Sequence, residues 1–187
     1  MKYKSTLVLA AAIALMTPGA AFANTHTTSD PLGDMSSVGS PVPTASMDIT
    51  EFRTSYTSTR IKMRVQVAEL NANEPYRVMV LALAPDGRAV VAYVMFDGYV
   101  QTTWMSEAYL PDGRIAAGDR LDCGDVDFAV NETNKTVTMW MPSQCLGTPR
   151  KIKAAALTRA SVEGGDVSDS VDFSYDAPQF TGPWIKR

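Results

Sequence analysis

From Met47 onward, apolar and polar residues alternate along the chain with a period of two. The clearest stretch is Arg60 to Val67, where Ile61, Met63, Val65 and Val67 alternate with Arg60, Lys62, Arg64 and Gln66. A helix would spread those four polar side chains around its cylinder, whereas a half-buried strand puts them all on one face. Tyr76 to Leu83 (YRVMVLAL) is more continuously apolar, as a central strand should be. Pro85-Asp86-Gly87 then turns the chain into Ala89 to Phe96 (AVVAYVMF). Asp97-Gly98 joins that run to Tyr99 to Met105 (YVQTTWM), and two β-rich runs joined by Asp-Gly predict a hairpin.

A longer loop containing Pro111-Asp112-Gly113 follows. Leu121 to Val130 and Thr136 to Met141 predict a second hairpin across Asn131 to Lys135. The alanines of Lys151 to Thr158 (KIKAAALT) would also suit a short helix; Pro149 just before it and its short length favour a strand. Val171 to Tyr175 could be the last strand. No long helix signal, repeat or heptad pattern is present. Eight or so short strands, with turns about every ten residues, predict an all-β fold: an antiparallel, jelly-roll-like β-sandwich. A closed barrel is the alternative, and the pattern alone does not separate the two.

The residues before this pattern differ in kind. Met1 to Ala23 has the layout of a secretory signal peptide: Lys2 and Lys4, then the uncharged apolar run Leu7 to Met16, a Thr17-Pro18-Gly19 break and an Ala21-Phe22-Ala23 cleavage site. Cleavage is expected between Ala23 and Asn24, giving a secreted, extracellular chain. The apolar run is too short to span a bilayer of ~30 Å, and no later segment is long enough, so no membrane span is expected in the mature chain. Residues 24–44, rich in Ser, Thr, Gly and Pro, read as a polar N-terminal arm, and residues 45–187 as the β-sandwich domain.

Export changes the reading of the two cysteines. Cys123 and Cys145 would lie where disulfides persist, and two cysteines allow one intramolecular pairing. Closing such a loop restricts the unfolded chain by roughly 3 kcal/mol in the chain-entropy model. With no CxxC spacing and no histidine nearby, a structural disulfide is favoured over a reactive thiol or a metal ligand. A sandwich of this size can also bury a real core, so the bridge supplements packing and need not replace it.

Charge and histidine count narrow the chemistry. The chain carries 17 basic and 20 acidic side chains, a net charge of -3. Removing the leader takes away Lys2 and Lys4 and leaves 15 basic against 20 acidic. Nucleic-acid binders usually carry a basic excess, so that partner class is not expected. The one histidine, His26, falls in the polar arm, and the folded domain is expected to lack an imidazole for Ser-His-Asp or Cys-His catalysis. No GxSxG elbow or SxxK motif occurs. A carboxylate pair of the glycosidase type is the only common mechanism left, and 20 acids make some such pair inevitable by chance.

Asp30-Pro31-Leu32-Gly33-Asp34, followed after a polar spacer by Asp48-Ile49, resembles the start of the DOMON-like and family-9-like carbohydrate-binding β-sandwiches. These occur as secreted bacterial proteins and as C-terminal modules of some glucan-degrading enzymes. Arg60 to Leu70 (RIKMRVQVAEL) fits the same pattern. Met141 to Pro149 (MPSQCLGTP) is similar to a P-x-x-C-L-G-x-P segment of small secreted actinobacterial proteins, where it pairs with an upstream cysteine, matched here by Cys123. The resemblance implies a secreted β-sandwich and sugar or calcium binding. The enzyme-attached relatives carry a glycine-rich stretch after the two aspartates, where this chain has Met35 to Ser40 (MSSVGS).

Individual residues then become candidates. Asp30, Asp34 and Asp48 could supply carboxylates to a calcium ion if the arm folds back on the first strand, since calcium takes six to eight oxygens. Asp-Pro and Gly-Asp are also ordinary turn dipeptides. Asp119, Asp122, Asp125 and Asp127 form the densest acidic patch, and a solvated sheet edge explains it better than a cation. Trp104, Trp140 and Tyr99 are the candidate ligand-binding aromatics, because pyranose rings stack on flat apolar faces; Trp184 and Tyr93 belong to the same set. Core packing is the competing role for each of them. Asn131 and Asn134 head two N-x-[ST] triplets in a predicted turn.

The leading expectation is a secreted, non-catalytic binding module for carbohydrate or cell-envelope glycan, calcium-assisted. The alternatives are an extracellular protein-binding or envelope-structural domain and a small carboxylate-dependent hydrolase. Oligomeric state is not readable from the sequence.

Overall fold

The computed structural model describes residues 23–39, 47–71, 75–97, 100–109, 116–124, 126–162, 165–174 and 179–187. They form two open antiparallel sheets packed face to face, with no α-helix among the described residues. The five-stranded sheet runs β1 (Asn24–Ser29), β3 (Ile49–Tyr56), β4 (Arg60–Val67), β10 (Thr136–Pro142), β9 (Asp127–Asn131). The larger sheet has the order β2 (Ser36–Gly39), β12 (Gly165–Val171), β11 (Lys151–Val162), β5 (Tyr76–Leu83), β6 (Ala89–Asp97), β7 (Val100–Tyr109), β8 (Ala116–Arg120). A short β15 (Ile185–Lys186) joins the start of β11. Both sheets keep free edges, so the fold is a sandwich and not a closed barrel.

Alternation in the sequence becomes inside and outside here. In β4, Ile61, Met63, Val65 and Val67 are buried, whereas Arg60 and Lys62 on the outer face are exposed. Facing them from the larger sheet are Val78, Val80, Val90, Ala92, Val94, Ala154 and Ala156, and together they fill the main core. The continuous apolar character of β5, β6 and β11 has a second cause. Their outer face is covered by the hairpin of β13 (Phe173–Ser174) and β14 (Gln179–Phe180). Phe173 and Phe180 meet edge to face at 5.8 Å and pack over Leu81, Val91, Ala155 and Leu157. Both faces of β11 are therefore apolar where the hairpin crosses it. That settles Lys151 to Thr158 as part of a strand rather than a short helix.

Three sequence expectations are corrected. The stretch read as an irregular arm supplies two edge strands, β1 on the smaller sheet and β2 on the larger. Threonine-rich edge strands need backbone pairing, not apolar burial, so low hydrophobicity misdirects there. His26 accordingly belongs to the folded part. Leu121 to Val130 is not one strand: among the described residues only Asp127–Asn131 pairs, on the edge of the smaller sheet. Finally, Val171 to Tyr175 is interrupted at Asp172, whose φ of 59° turns the chain out of the larger sheet and sends Phe173 to the outer face.

The disulfide joins Cys123, just before β9, to Cys145 in the 3-10 turn Ser143–Leu146 that follows β10, with Cα atoms 5.3 Å apart. Both ends of the β9–β10 hairpin are thus tied, one by the turn and one by sulfur.

Candidate functional site

The chain passes from one sheet to the other between β1 and β2, through Asp30 to Met35. Gly33 makes this turn with φ 81°, a conformation that any side chain would strain. The turn is pinned at both ends. The Asp30 N–H donates to the Thr50 carbonyl at 3.1 Å, and the Gly33 N–H donates to Asp48 Oδ2 at 2.8 Å. Asp48 opens β3 and is buried.

Behind this turn stands Asp169 of β12. Its Oδ2 accepts the Ile49 N–H at 2.6 Å and its Oδ1 accepts the Ser170 N–H at 2.7 Å. One carboxylate oxygen from each of Asp30, Asp34 and Asp169 lies within 4.8 Å of the others. Two ligands of one calcium ion, each about 2.4 Å from it, stand no more than about 5 Å apart, so this spacing suits a shared ion. Two further oxygens, Asp30 Oδ2 and Asp48 Oδ1, are buried without a hydrogen-bond partner among the described residues. Buried polar atoms are ordinarily satisfied, and an unpaired carboxylate oxygen is costly to keep out of water.

The electrostatics agree with the geometry. Burial pushes the Asp30 carboxyl up to about 7, with Asp169, Asp34, Asp48 and Asp172 adding repulsion. Burial likewise raises Asp169 to about 6, against the lowering effect of the Ile49 and Ser170 N–H groups. A divalent cation would reverse this penalty, because it favours the ionised form of every carboxylate around it. All donors are hard oxygens, which selects calcium or magnesium over a soft metal.

Of the three aspartates expected to bind a metal, the structure brings Asp30 and Asp34 into one cluster and sets Asp48 beneath them as the anchor of Gly33. The residue missed is Asp169. Its signal was present: Val167, Asp169 and Val171 alternate in phase, and all three are buried. An aspartate standing in the inward phase of a strand needs a partner, and here part of that partner is backbone.

The aromatic candidates fare differently. Trp140 lies half-buried on the outer face of the smaller sheet, opposite in phase to buried Val137, Met139 and Met141, with Lys62 Nζ 5.5 Å from its ring centroid. Tyr99 falls outside the described residues, as does the side chain of Trp104. Trp184 is open, 37% exposed. In the acidic patch, Asp127 sits on the edge strand β9 and pairs with Arg60 at 2.6 Å, as a solvated edge would.

His26 raises the question of a triad. Its Nε2 lies 2.9 Å from Thr28 Oγ1, and Thr28 Oγ1 donates to Asp172 Oδ2 at 2.8 Å. The same ring nitrogen is 3.5 Å from that same carboxylate oxygen. A catalytic relay needs the carboxylate and the nucleophile on opposite ring nitrogens. This arrangement instead ties β1 to the Asp172 turn.

No family model and no curated protein matches this chain.

Proposed function

We propose that this protein is a secreted, non-catalytic binding module for carbohydrate or envelope glycan, in which a calcium ion fixes the turn between the two sheets. The observation that carries the calcium part is the convergence of Asp30, Asp34 and Asp169 over a buried, incompletely satisfied Asp48. In this reading Asp30, Asp34 and Asp169 coordinate directly, and Asp48 adds its free Oδ1 or holds the turn in place through Gly33.

Support for binding without chemistry comes from how the acids are used. Both oxygens of Asp169 and one of Asp48 hold backbone N–H groups, which leaves them poorly placed for proton transfer. The glycan part rests on the resemblance carried by Asp30 to Asp34 and Asp48-Ile49, and on the outward tryptophans.

The test is isothermal titration of the mature chain with calcium and magnesium, then with a panel of soluble and insoluble glycans, in calcium and in chelator. Heat on calcium addition, and glycan retention that weakens in chelator, are the expected results. Glycan binding identical in calcium and chelator would remove the ion from the reading; retention on no glycan would remove the sugar.

A further inference from the structure

At the far end of β11 the chemistry inverts. Arg150, Lys151 and Lys153 lead into this strand, and Lys186 and Arg187 run back beside them along β15. The register sets Lys151 directly opposite Lys186, and the Arg187 N–H donates to the Arg150 carbonyl at 3.2 Å. Like charges opposite one another in an antiparallel pair repel. The pairing holds because Ile152 and Ile185, next in register, are both buried in the core.

None of these five cations is ion-paired to a carboxylate among the described residues. Trp184 collects two of them instead. Lys151 Nζ lies 4.7 Å and Lys153 Nζ 5.7 Å from its ring centroid, and Lys153 also donates to the Phe180 carbonyl at 3.0 Å. An aromatic face attracts ammonium groups through its quadrupole but has no net charge, so it gathers lysines without neutralising them. Pro85, Arg150, Lys151, Lys186 and Arg187 line an open depression of about 560 Å³, within the size range of small-ligand sites, and Lys151 links it to the Trp184 ring. In a chain whose net charge is -3, this concentration of unneutralised positive charge next to an open tryptophan calls for an anion.

We infer that this patch docks an anionic polysaccharide, its carboxylate or sulfate groups on Arg150, Lys151, Lys186 and Arg187 and a sugar ring against the exposed part of Trp184. The inference rests on the glycan-binding reading above and names the class of glycan. A sugar chain fits better than a nucleic acid or a membrane because the basic area is confined to the ends of two strands. An acidic sugar chain can set a few anionic groups on this small area and one ring against Trp184, whereas a lipid surface presents a plane of charge that would also meet the acidic remainder of the chain. Arginine forks take carboxylate or sulfate in bidentate fashion, and lysines supply mobile point charges around them.

The experiment compares dextran with dextran sulfate, which share one glucose backbone, together with galacturonate oligosaccharides, a single-stranded oligonucleotide and phosphatidylserine vesicles. The protein is the mature chain in calcium. Three variants accompany it: Trp184→Ala, the double variant Arg150→Gln/Lys186→Gln, and, as a control, Arg159→Gln, which removes one exposed cation at the other end of β11 outside both clusters. Melting curves confirm that each is folded, and because the double variant replaces two exposed side chains it serves if Trp184→Ala does not fold. The acidic glycans should bind and dextran should not. Affinity should fall at least about tenfold in both patch variants and about tenfold between low and high salt, as exposed charges are screened. Equal binding of dextran and dextran sulfate, or acidic binding unchanged in both patch variants, overturns the patch and leaves the glycan reading standing. Equal or tighter capture by the oligonucleotide or the vesicles overturns the sugar as occupant. Binding to no glycan, neutral or acidic, fails the glycan reading itself and this inference with it.

Discussion

Two clusters of like charge stand at opposite ends of β11, and they are built in opposite ways. Asp169 lies opposite Thr158, whereas Lys186 lies opposite Lys151, roughly 23 Å away along an extended strand. Asp48 and Asp169 are drawn inward and held by backbone N–H groups of Gly33, Ile49 and Ser170, so the floor beneath half-buried Asp30 and exposed Asp34 is set before any ligand arrives. The bases are left outward and held by a tryptophan face. A small hard cation needs converging oxygens at fixed distances. A large anion needs exposed charge that can follow its shape. Burial, not charge number, separates the two designs.

That contrast can be broken most forcefully at Asp169. Asp169→Ala would leave the Ile49 and Ser170 N–H groups without acceptors, and it should destabilise the fold by about 3 kcal/mol in urea unfolding. A loss below about 1 kcal/mol would mean that water or relaxation satisfies those donors, and the preorganised half of the comparison would fall. Next in size is the ion itself. Calcium at about a hundredfold above its Kd should stabilise the protein by about 2.7 kcal/mol. Asp34→Asn should remove most of that gain, and Arg150→Gln/Lys186→Gln should keep it. Equal gains in all three proteins would place the ion elsewhere.

The pH dependence sharpens the same point. Asp30 at about 7 and Asp169 at about 6 both hold protons in the folded state at pH values where the unfolded chain has lost them. Their burial penalty is therefore absent below the ordinary carboxylate range and grows as pH rises through about 6 and then about 7. In chelator the melting temperature should fall as pH rises from about 5 to about 7.5, because the unfolded state binds fewer protons across that window. Exposed Asp86 and Asp166, held low by hydrogen bonds from Arg88 and from Ser161 and Arg159, finish titrating below it. Saturating calcium should flatten the fall, and a profile already flat in chelator would contradict the assigned burial. The smallest effect belongs to the basic end. Lys186→Glu should stabilise the fold by about 0.5 kcal/mol, since it turns a repulsive cross-strand pair into an attractive one. Loss of stability there would show that the lysine stem, not its charge, matters.

Most of the sandwich was legible in the chain. Arg60–Val67 and Tyr76–Leu83 have the bounds that alternation and apolar content predict, because each buries one or both faces. The cysteine pair was equally readable, since only one bridge was available. Edge strands were not legible: β1 and β2 are stabilised by backbone pairing that leaves little mark on side-chain pattern. The metal candidate was half visible. Asp30 and Asp34 announce themselves in turn dipeptides and Asp48 at the start of a strand, whereas Asp169 is brought to them by strand pairing across more than a hundred residues of sequence. The basic patch was invisible for the same reason, because residues 150–153 and 184–187 become neighbours only through the β11–β15 register.

The short crossing from Asp30 to Met35 also decides which strands end the two sheets. β1 and β2, its two flanks, are the terminal strands on the same side of both sheets. Each shields a neighbour, β3 or β12, whose backbone would otherwise offer an open row of donors and acceptors to any passing strand. A single six-residue crossing thus sets both terminal strands at once. If it were released, the seven- and eight-residue strands β12 and β3 would replace the shorter β2 and β1 as sheet edges, and longer open edges offer more donors and acceptors to another strand.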